Sequence, residues 1–214
     1  QVIYKNYAGV PLSQVVEDAD RQLGRIADRV RVAAFHCVLE RQVALALMGR
    51  TAHRVSLSCD RYDEQRDVAS ICQTSNYNQI AYYYVAMLRL HYLYGEYEAA
   101  LDYAERARAV LPAFQGQVAE GEFVFYTALA NAALGLVEPV DDLLGHLEVW
   151  AATGPANFAH KRDLIHAERL RARGDRADAA VAVAAAYDTA IESAAASGLI
   201  QDHALAHERA ALFH

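Results

Sequence analysis

The sequence has no long hydrophobic run. No apolar stretch reaches the length of about 18 residues that a membrane-spanning helix requires without including charged side chains. It also lacks the pattern of a secretory leader, in which a basic segment precedes an apolar core and a small-residue cleavage site. We therefore expect a cytoplasmic protein that does not bind or cross a membrane.

Cysteine and positive charge are also scarce. The three cysteines, Cys37, Cys59 and Cys72, lack the spacing of a metal site, which indicates a reducing compartment and buried free thiols. The 20 Lys and Arg residues are outnumbered by 27 Asp and Glu residues, and the net charge is -7. The chain thus lacks the basic surface that phosphate neutralisation requires, and nucleic acid is not an expected partner.

Helix-breaking residues are few, with only four prolines and eleven glycines in 214 residues. Apolar residues recur at three- and four-residue spacing, and no Asn-Gly or Asp-Gly turn joins alternating apolar runs, so the sequence predicts an all-α fold. The ten predicted helices span residues 11–27, 30–49, 63–74, 77–94, 97–111, 117–134, 139–152, 157–173, 176–197 and 200–214.

Four glycines, at positions 49, 95, 135 and 174, each follow a predicted helix, where glycine can adopt the left-handed conformation that ends it. They are separated by 46, 40 and 39 residues. A near-constant period with one helix pair per period is typical of a solenoid. The longer first interval contains a polar insertion at 50–64, which we expect on the surface. After Gly174, the carboxylates of Asp175 and Asp178 are expected to cap the next helix.

The segment "YGEYEAALDYAERARAVLP" (94–112) follows the tetratricopeptide pattern of small and large positions. Gly95 ends the first helix of the pair, Ala100 and Ala107 occupy the small positions of the second, and Pro112 closes the unit. The sequence thus predicts a tetratricopeptide-like α-solenoid of about five helix pairs with a period of about 40 residues, forming a single domain over residues 1–214. Because it begins at Gln1 and stops within a helical pattern, we interpret the chain as an excised piece of a longer protein.

Two further segments carry a family resemblance: "GPANFAHKRDLIHAERLRARGDRADA" (154–179) and "AYDTAIESAAASGLIQDHALAHERAALF" (186–213). With "YKNYAGVPLSQVVEDAD" (4–20) upstream, the chain resembles the helical repeat region of large bacterial signalling proteins. These proteins join a serine/threonine-kinase-like domain, an AAA-type ATP-binding module, tetratricopeptide-like repeats, a GAF sensor and often a histidine kinase. The resemblance implies a regulatory spacer between the nucleotide-binding module and the sensor and output domains, and supplies no catalytic residue.

Catalytic motifs are absent from the sequence. It contains no "GxxxxGK[ST]" phosphate loop and no "HRD" or "DFG" kinase motif. His203 and His207 lie four residues apart on one predicted helix face and could share a metal with Asp202 or Glu208, but we favour solvent-exposed histidines. Cys37 is adjacent to His36, but adjacent helical side chains diverge, so we expect a core cysteine and not a nucleophile. We predict no enzymatic activity, no cofactor and no metal for this segment.

The predicted binding surface is the concave face that first helices of such pairs line. Counting back from each terminal glycine places His36, Tyr82, Glu122 and Lys161 in one row, and Val43, Arg89, Leu129 and Glu168 in a second, with Tyr92 and Arg171 one turn further on. The full set of candidate partner-binding residues is His36, Tyr82, Arg89, Tyr92, Glu122, Phe125, Leu129, Lys161, Glu168 and Arg171. Aromatic and arginine side chains suit the recognition of a peptide or helix. Since Tyr82, Tyr83 and Tyr84 are consecutive, at least one must face solvent or a partner.

These features favour a non-catalytic interaction and regulatory module that binds a protein segment or neighbouring domains of the same chain. The alternative is a small-molecule sensor, since related helical repeats can enclose a ligand between helices. Its predicted groove lies near Tyr82, Tyr92, Phe125 and Tyr126.

Overall fold

The computed structural model describes residues 5–25, 34–59, 62–73, 75–174 and 179–213. In these residues the only β pairing is an isolated antiparallel bridge between Cys59 and Tyr62, so the all-α prediction is confirmed. The helices are α1 (Leu12–Leu23), α2 (Phe35–Leu47), α3 (Glu64–Gln73), α4 (Tyr77–Leu93), α5 (Tyr97–Arg108), α6 (Val118–Ala133), α7 (Val137–Thr153), α8 (Pro155–Arg173), α9 (Ala179–Ser197) and α10 (Ile200–Phe213). A short 3-10 helix, Leu111–Ala113, contains Pro112 and follows α5.

The chain divides into two compact units, residues 1–120 and residues 121–214, and the division falls inside α6. We call them the first unit and the second unit. In the described part of the chain, no helix is both long enough and apolar enough to cross a lipid bilayer. That the whole chain is one domain stays a prediction.

In the first unit, α1 packs on α2, α2 packs on α4, and α4 also contacts α3 and α5. Val15, Val16 and Ala19 of α1 pack with Cys37 and Leu45 of α2 in one hydrophobic cluster. Burial raises the pKa of the Cys37 thiol, and its Sγ lies 3.8 Å from the carbonyl oxygen of Ala19. The prediction of a core position for Cys37 is therefore confirmed.

The other two thiols are less enclosed than the sequence suggested. Cys59 is half-buried and Cys72 is exposed, so the expectation of buried thiols is wrong for Cys72. Cys72 lies near the end of the short helix α3, whose described residues bury only Ile71. A helix with so small a core face leaves its remaining side chains in solvent.

The polar insertion at 50–64 is anchored to the helices by one carboxylate. Glu64 Oε2 accepts the amide of Leu57 at 2.9 Å, and Glu64 Oε1 accepts the hydroxyl of Tyr83 at 2.8 Å. Gln42 Nε2 of α2 donates to the carbonyl oxygen of Leu57 at 2.6 Å, and Leu57 is fully buried. The insertion is thus not wholly a surface loop, because Leu57 carries its centre into the core.

In the second unit, α7 packs on α8, α8 on α9, and α9 on α10, while α8 also contacts α10. Gly121 of α6 permits a close approach to α8, since a Cβ at this position would lie 3.1 Å from Phe158 Cε1. Phe158 in turn packs on the single tryptophan, Trp150 of α7, at a ring-centroid distance of 5.3 Å. A small residue on α6 therefore makes room for an aromatic contact between α7 and α8.

The four predicted terminal glycines all have positive φ, with values of 68°, 77°, 74° and 26° in chain order. After Gly49, Gly95 and Gly135, the next amide donates to the carbonyl five residues earlier, at 2.8, 2.9 and 2.9 Å. These bonds satisfy carbonyl groups that a helix end otherwise leaves open. The glycine assignments are confirmed, whereas the caps predicted at Asp175 and Asp178 lie outside the described residues.

Candidate functional site

The ten candidate partner-binding residues are mostly enclosed by neighbouring helices. Eight of them are at most 7% exposed, and the two others, His36 and Arg171, are half-buried. The eight are Tyr82, Arg89, Tyr92, Glu122, Phe125, Leu129, Lys161 and Glu168. Their side chains are therefore not displayed to solvent as a concave surface, and contact with a partner stays a prediction.

In the first unit, the candidates pack as aromatic and cation–aromatic contacts. The rings of His36 and Tyr82 lie edge to face with centroids 4.7 Å apart, and Tyr82 Oη donates to Gln117 Oε1 at 3.1 Å. Burial lowers the pKa of His36 despite an opposing hydrogen bond with Asn78, which favours the neutral ring. The sequence correctly placed His36 beside Tyr82, and their contact is structural.

Arg89 and Tyr92 of α4 also pack against aromatic rings. The guanidinium of Arg89 lies 5.5 Å from the ring centroid of Tyr7, and the ring of Tyr92 packs on Tyr97 at 5.6 Å. Tyr84, which follows the buried Tyr82 and Tyr83, is half-buried. The prediction that one of the three consecutive tyrosines reaches solvent is confirmed.

In the second unit, Lys161 of α8 lies between two carboxylates from other helices. Its Nζ donates to Glu122 Oε1 of α6 at 2.9 Å and to Asp202 Oδ2 of α10 at 3.1 Å. It also lies 4.3 Å from the ring centroid of Phe125. Burial opposes the charge on Lys161, but the two carboxylates outweigh it and raise the pKa of the ammonium group above its usual range. We call Glu122, Phe125, His160, Lys161 and Asp202 the Lys161 cluster.

His160 completes this cluster, since its Nε2 lies 2.8 Å from Asp202 Oδ2 and both residues are at most 4% exposed. Burial opposes ionisation of Asp202, yet Lys161 and His160 hold the pKa of this carboxyl well below its usual range. Because an ionised carboxylate only accepts hydrogen bonds, Nε2 of His160 carries the proton. In the neutral ring Nδ1 is then an acceptor, and it has no hydrogen-bond partner in the described residues.

A second buried charge cluster surrounds Glu168 of α8, which is fully buried. Its oxygens accept Arg209 Nε at 2.8 Å and Arg209 Nη2 at 3.0 Å, together with Arg171 Nη2 at 2.8 Å. Tyr187 Oη of α9 donates at 2.7 Å. Burial opposes ionisation of Glu168, but Arg209, Arg171 and Tyr187 outweigh it and lower the pKa of the carboxyl. We call these four residues the Glu168 cluster.

The two clusters follow each other along α8 and α10, because each of these helices carries one positive and one negative residue two turns apart. Lys161 and Glu168 are seven residues apart, as are Asp202 and Arg209, so each pair lies on one face of its helix two turns apart. Lys161 pairs with Asp202, and Glu168 pairs with Arg209, both across 41 residues of sequence. The contacts from α6 to α8, Glu122 to Lys161 and the Ala132 carbonyl to Arg171, span 39 residues. Opposite charge order on the two helices favours this alignment, since a slip of two turns would place Lys161 beside Arg209 or Glu168 beside Asp202.

The sequence analysis identified Glu122, Lys161, Glu168 and Arg171 but missed their partners. His160, Tyr187, Asp202 and Arg209 complete the clusters. The heptad spacing of opposite charges on α8 and α10 is the sequence signal that indicates these pairs. Asp202, considered as a metal ligand beside His203, instead faces inward to Lys161.

α10 has a mixed polarity, because two charged residues lie among the apolar residues of its inner side and two large apolar residues are exposed. Its inner side carries Asp202 and Arg209, which are 4% and 7% exposed, whereas Ile200 and Leu212 are 70% and 67% exposed. Ala204, His207 and Ala211 are exposed on the same side of the helix as Ile200. We call the exposed residues of α10, which are Ile200, Ala204, His207, Glu208, Ala211 and Leu212, the α10 outer face. Most surface helices place apolar residues inside and charges outside, so this face is suited to being covered.

A shallow groove of about 480 Å³ also lies between α8 and α9. Its walls include Asp163, His166, Leu170 and Thr189 with three alanines of α9. The groove predicted for a small molecule involved other residues, of which Tyr82 and Tyr92 belong to the first unit and Phe125 and Tyr126 to the second. All four of these side chains are buried.

The described residues contain no group of three or more His, Cys, Asp or Glu side chains arranged to hold a metal ion. Comparisons with protein-family models, curated proteins and solved structures find no match to this chain. Membership of the family that the sequence resembles is therefore a proposal.

Proposed function

We propose that this chain is a non-catalytic, tetratricopeptide-like interaction module that binds an amphipathic helix through the α10 outer face. The observation that carries the proposal is the mixed polarity of α10, which buries Asp202 and Arg209 beside its apolar inner residues and exposes Ile200 and Leu212. Solvation alone does not favour this arrangement, because exposed apolar area costs about 25 cal/mol per Å² relative to burial. A partner that covers the face recovers this free energy.

The repeat character of the proposal is supported by contacts with a regular sequence offset. Side chains of α8 bond to the Glu122 carboxylate and the Ala132 carbonyl of α6 across 39 residues, and side chains of α8 and α10 meet across 41 residues. These offsets are close to the glycine spacing of 40 and 39 residues. In a repeat array each unit contacts its neighbours and the last one presents a face that a further element can cover.

The occupant of the α10 outer face is proposed to be a helix because of the spacing of the face. Ile200, Ala204, His207 and Ala211 follow a spacing of four, three and four residues, which forms one ridge along the helix. The ridge is about 16 Å long at a rise of about 1.5 Å per residue. The small side chains of Ala204 and Ala211 on this ridge allow a partner helix to approach closely. The net charge of -7 favours a partner with basic residues beside its apolar stripe.

The proposed module is non-catalytic, and the buried charges support a structural role. Lys161, Asp202 and Glu168 are held in ion pairs with donors and acceptors from three helices. Such groups stabilise one alignment of α6, α8 and α10 and give the outer face a fixed support. The proposed setting is a bacterial signalling protein in which this module links ATP-binding and sensor or kinase modules, and the resemblance of residues 154–179 and 186–213 supports it.

The proposal is tested with a phage-displayed library of amphipathic helical peptides selected on the immobilised 214-residue chain. Affinities of enriched peptides are then measured for the wild type, the double variant Ile200→Glu/Leu212→Glu, and the control Val149→Glu. Val149 lies on α7 and is 66% exposed, so the control adds one negative charge at matched exposure, against two in the double variant. We expect the double variant to bind at least about tenfold more weakly and the control to bind as the wild type does. Equal binding by all three proteins, or no enrichment of helical peptides, contradicts the proposal.

A further inference from the structure

Two imidazole rings converge at the surface of α10. His203 Nε2 and His207 Nε2 lie 3.0 Å apart, and the ring centroids are 4.6 Å apart in an edge-to-face arrangement. His207 is exposed and His203 is half-buried. In the described part of the chain, these two nitrogens have no hydrogen-bond partner other than each other. Two imidazole nitrogens, one donating and one accepting in their mutual hydrogen bond, therefore lie together at a position that solvent can reach.

We propose that His203 and His207 form a surface site that chelates a divalent transition-metal ion such as Zn²⁺, Ni²⁺ or Cu²⁺. The four-residue spacing places both rings on one face of the helix, one turn apart, and the backbone holds them there without help from another element. The site is distinct from the Lys161 and Glu168 clusters, which lie on the inner side of α10.

The distance between the two nitrogens suits a shared metal ion. Zinc–nitrogen bonds measure about 2.0–2.1 Å, so two tetrahedral nitrogen ligands lie about 3.3 Å apart. Small side-chain rotations that lengthen the distance between the two nitrogens by a few tenths of an ångström give that geometry. When the shared proton leaves, both nitrogens offer lone pairs to the same ion.

The remaining coordination positions are left to water, because neither carboxylate considered in the sequence analysis is placed to join the pair. Glu208 is adjacent to His207 on the helix, and adjacent helical side chains diverge. Asp202 is buried and accepts hydrogen bonds from Lys161 and His160, so it does not turn toward the histidine pair. Imidazole nitrogen selects borderline transition metals, whereas Mg²⁺ and Ca²⁺ prefer oxygen ligands. A site with two imidazoles and open water positions therefore discriminates by metal class and can accept a further ligand from outside the chain.

The test is isothermal titration of the untagged chain with NiCl₂ or ZnCl₂ alone at pH 7.5, with MgCl₂ as the control ion. We expect one transition-metal ion per chain and no binding of Mg²⁺. His203→Gln and His207→Gln are each expected to lower the affinity by about tenfold or more, since the second ligand then loses its high effective concentration. His166→Gln removes a single exposed histidine from α8 and is expected to change the affinity by less than twofold.

Either of two outcomes overturns the inference. One is an absence of saturable Ni²⁺ or Zn²⁺ binding by the wild-type chain. The other is unchanged affinity in both His203→Gln and His207→Gln while helix content, measured by circular dichroism, stays at the wild-type value. The readout uses metal alone, so a failure of the proposed helix partner does not affect it.

Discussion

Replacement of Lys161 by methionine separates its charge from its packing. Methionine retains an unbranched apolar stem beside Phe125, so the main change is the loss of the ammonium group between Glu122 and Asp202. Both carboxylates are at most 6% exposed and neither can rehydrate without opening the helices. Removing one partner of a buried ion pair costs about 3–5 kcal/mol, and we expect Lys161→Met to lower the free energy of unfolding by this amount at pH 7.

The assay is urea unfolding followed by the fluorescence of Trp150, the single tryptophan, which lies on α7 in the second unit. For a slope of about 2–3 kcal/mol per molar urea, the midpoint is expected to fall by about 1–2 M. The neighbouring Arg162→Met variant is the control, because Arg162 is 38% exposed and pairs with Asp163 at the surface. Surface ion pairs contribute about 0–1 kcal/mol, so its midpoint is expected to shift by less than about 0.5 M.

The pH dependence distinguishes lost charge from lost packing. In the wild type the pKa of Asp202 is lowered, so its contribution to stability is present above the unfolded pKa and is lost as pH falls. Without Lys161, the buried carboxylates bind protons more readily in the folded state than in the unfolded state, and the variant gains stability relative to wild type as pH falls. The deficit of Lys161→Met is therefore expected to shrink between pH 7 and pH 5. A deficit below about 1 kcal/mol at pH 7, or one that is equal at both pH values, refutes the reasoning.

Two further predictions concern the second unit and use the same urea assay. Gly135→Ala is expected to destabilise the protein by about 1–2 kcal/mol, because φ is 74° there and alanine is strained at that φ even though nothing crowds a new Cβ. Gly145→Ala, inside α7, is expected to stabilise it by about 0.5–1 kcal/mol, because alanine has the higher helix propensity. Equal effects at the two sites contradict the assignment of Gly135 as the residue that ends α6. Tyr187→Phe removes the hydroxyl that donates to buried Glu168 at 2.7 Å, and the free energy of unfolding is expected to fall by about 1.5–3 kcal/mol. A free energy of unfolding equal to that of the wild type excludes a stabilising role for this hydroxyl.

Much of the helical framework could be predicted from local sequence pattern. Ten helices were expected and ten are present among the described residues, with α4 and α6 matching their predicted ranges within about one residue. The reason is that helix periodicity, glycine termination and turn chemistry act over a few neighbouring residues. Gly49, Gly95 and Gly135 carry this information directly, since each adopts the positive φ that its position requires.

The burial of the candidate site could not be predicted in the same way. Charged residues such as Lys161 and Glu168 are ordinarily exposed, and an amphipathic pattern assigns them to the solvent side. Their burial becomes favourable only when partners from another helix neutralise them, and those partners lie 41 residues away in Asp202 and Arg209. The periodicity of one helix does not predict a pairing with another helix. The matched seven-residue spacing of opposite charges on α8 and α10 does indicate it.

The polarity of α10 follows from the same cause. Because Asp202 and Arg209 are required inside, where they align α10 with α8, the inner side of the helix is partly charged. The exposed positions of Ile200 and Leu212 then have no explanation in the folding of the second unit. Their explanation in our account is a helix that covers them.

The most direct test of this account is nuclear magnetic resonance mapping of an enriched helical peptide on the isotopically labelled chain. The largest chemical-shift changes are expected on the α10 outer face, at Ile200, Ala204, His207, Glu208, Ala211 and Leu212. Changes centred on the α8–α9 groove around His166 and Thr189, with α10 unaffected, would contradict it.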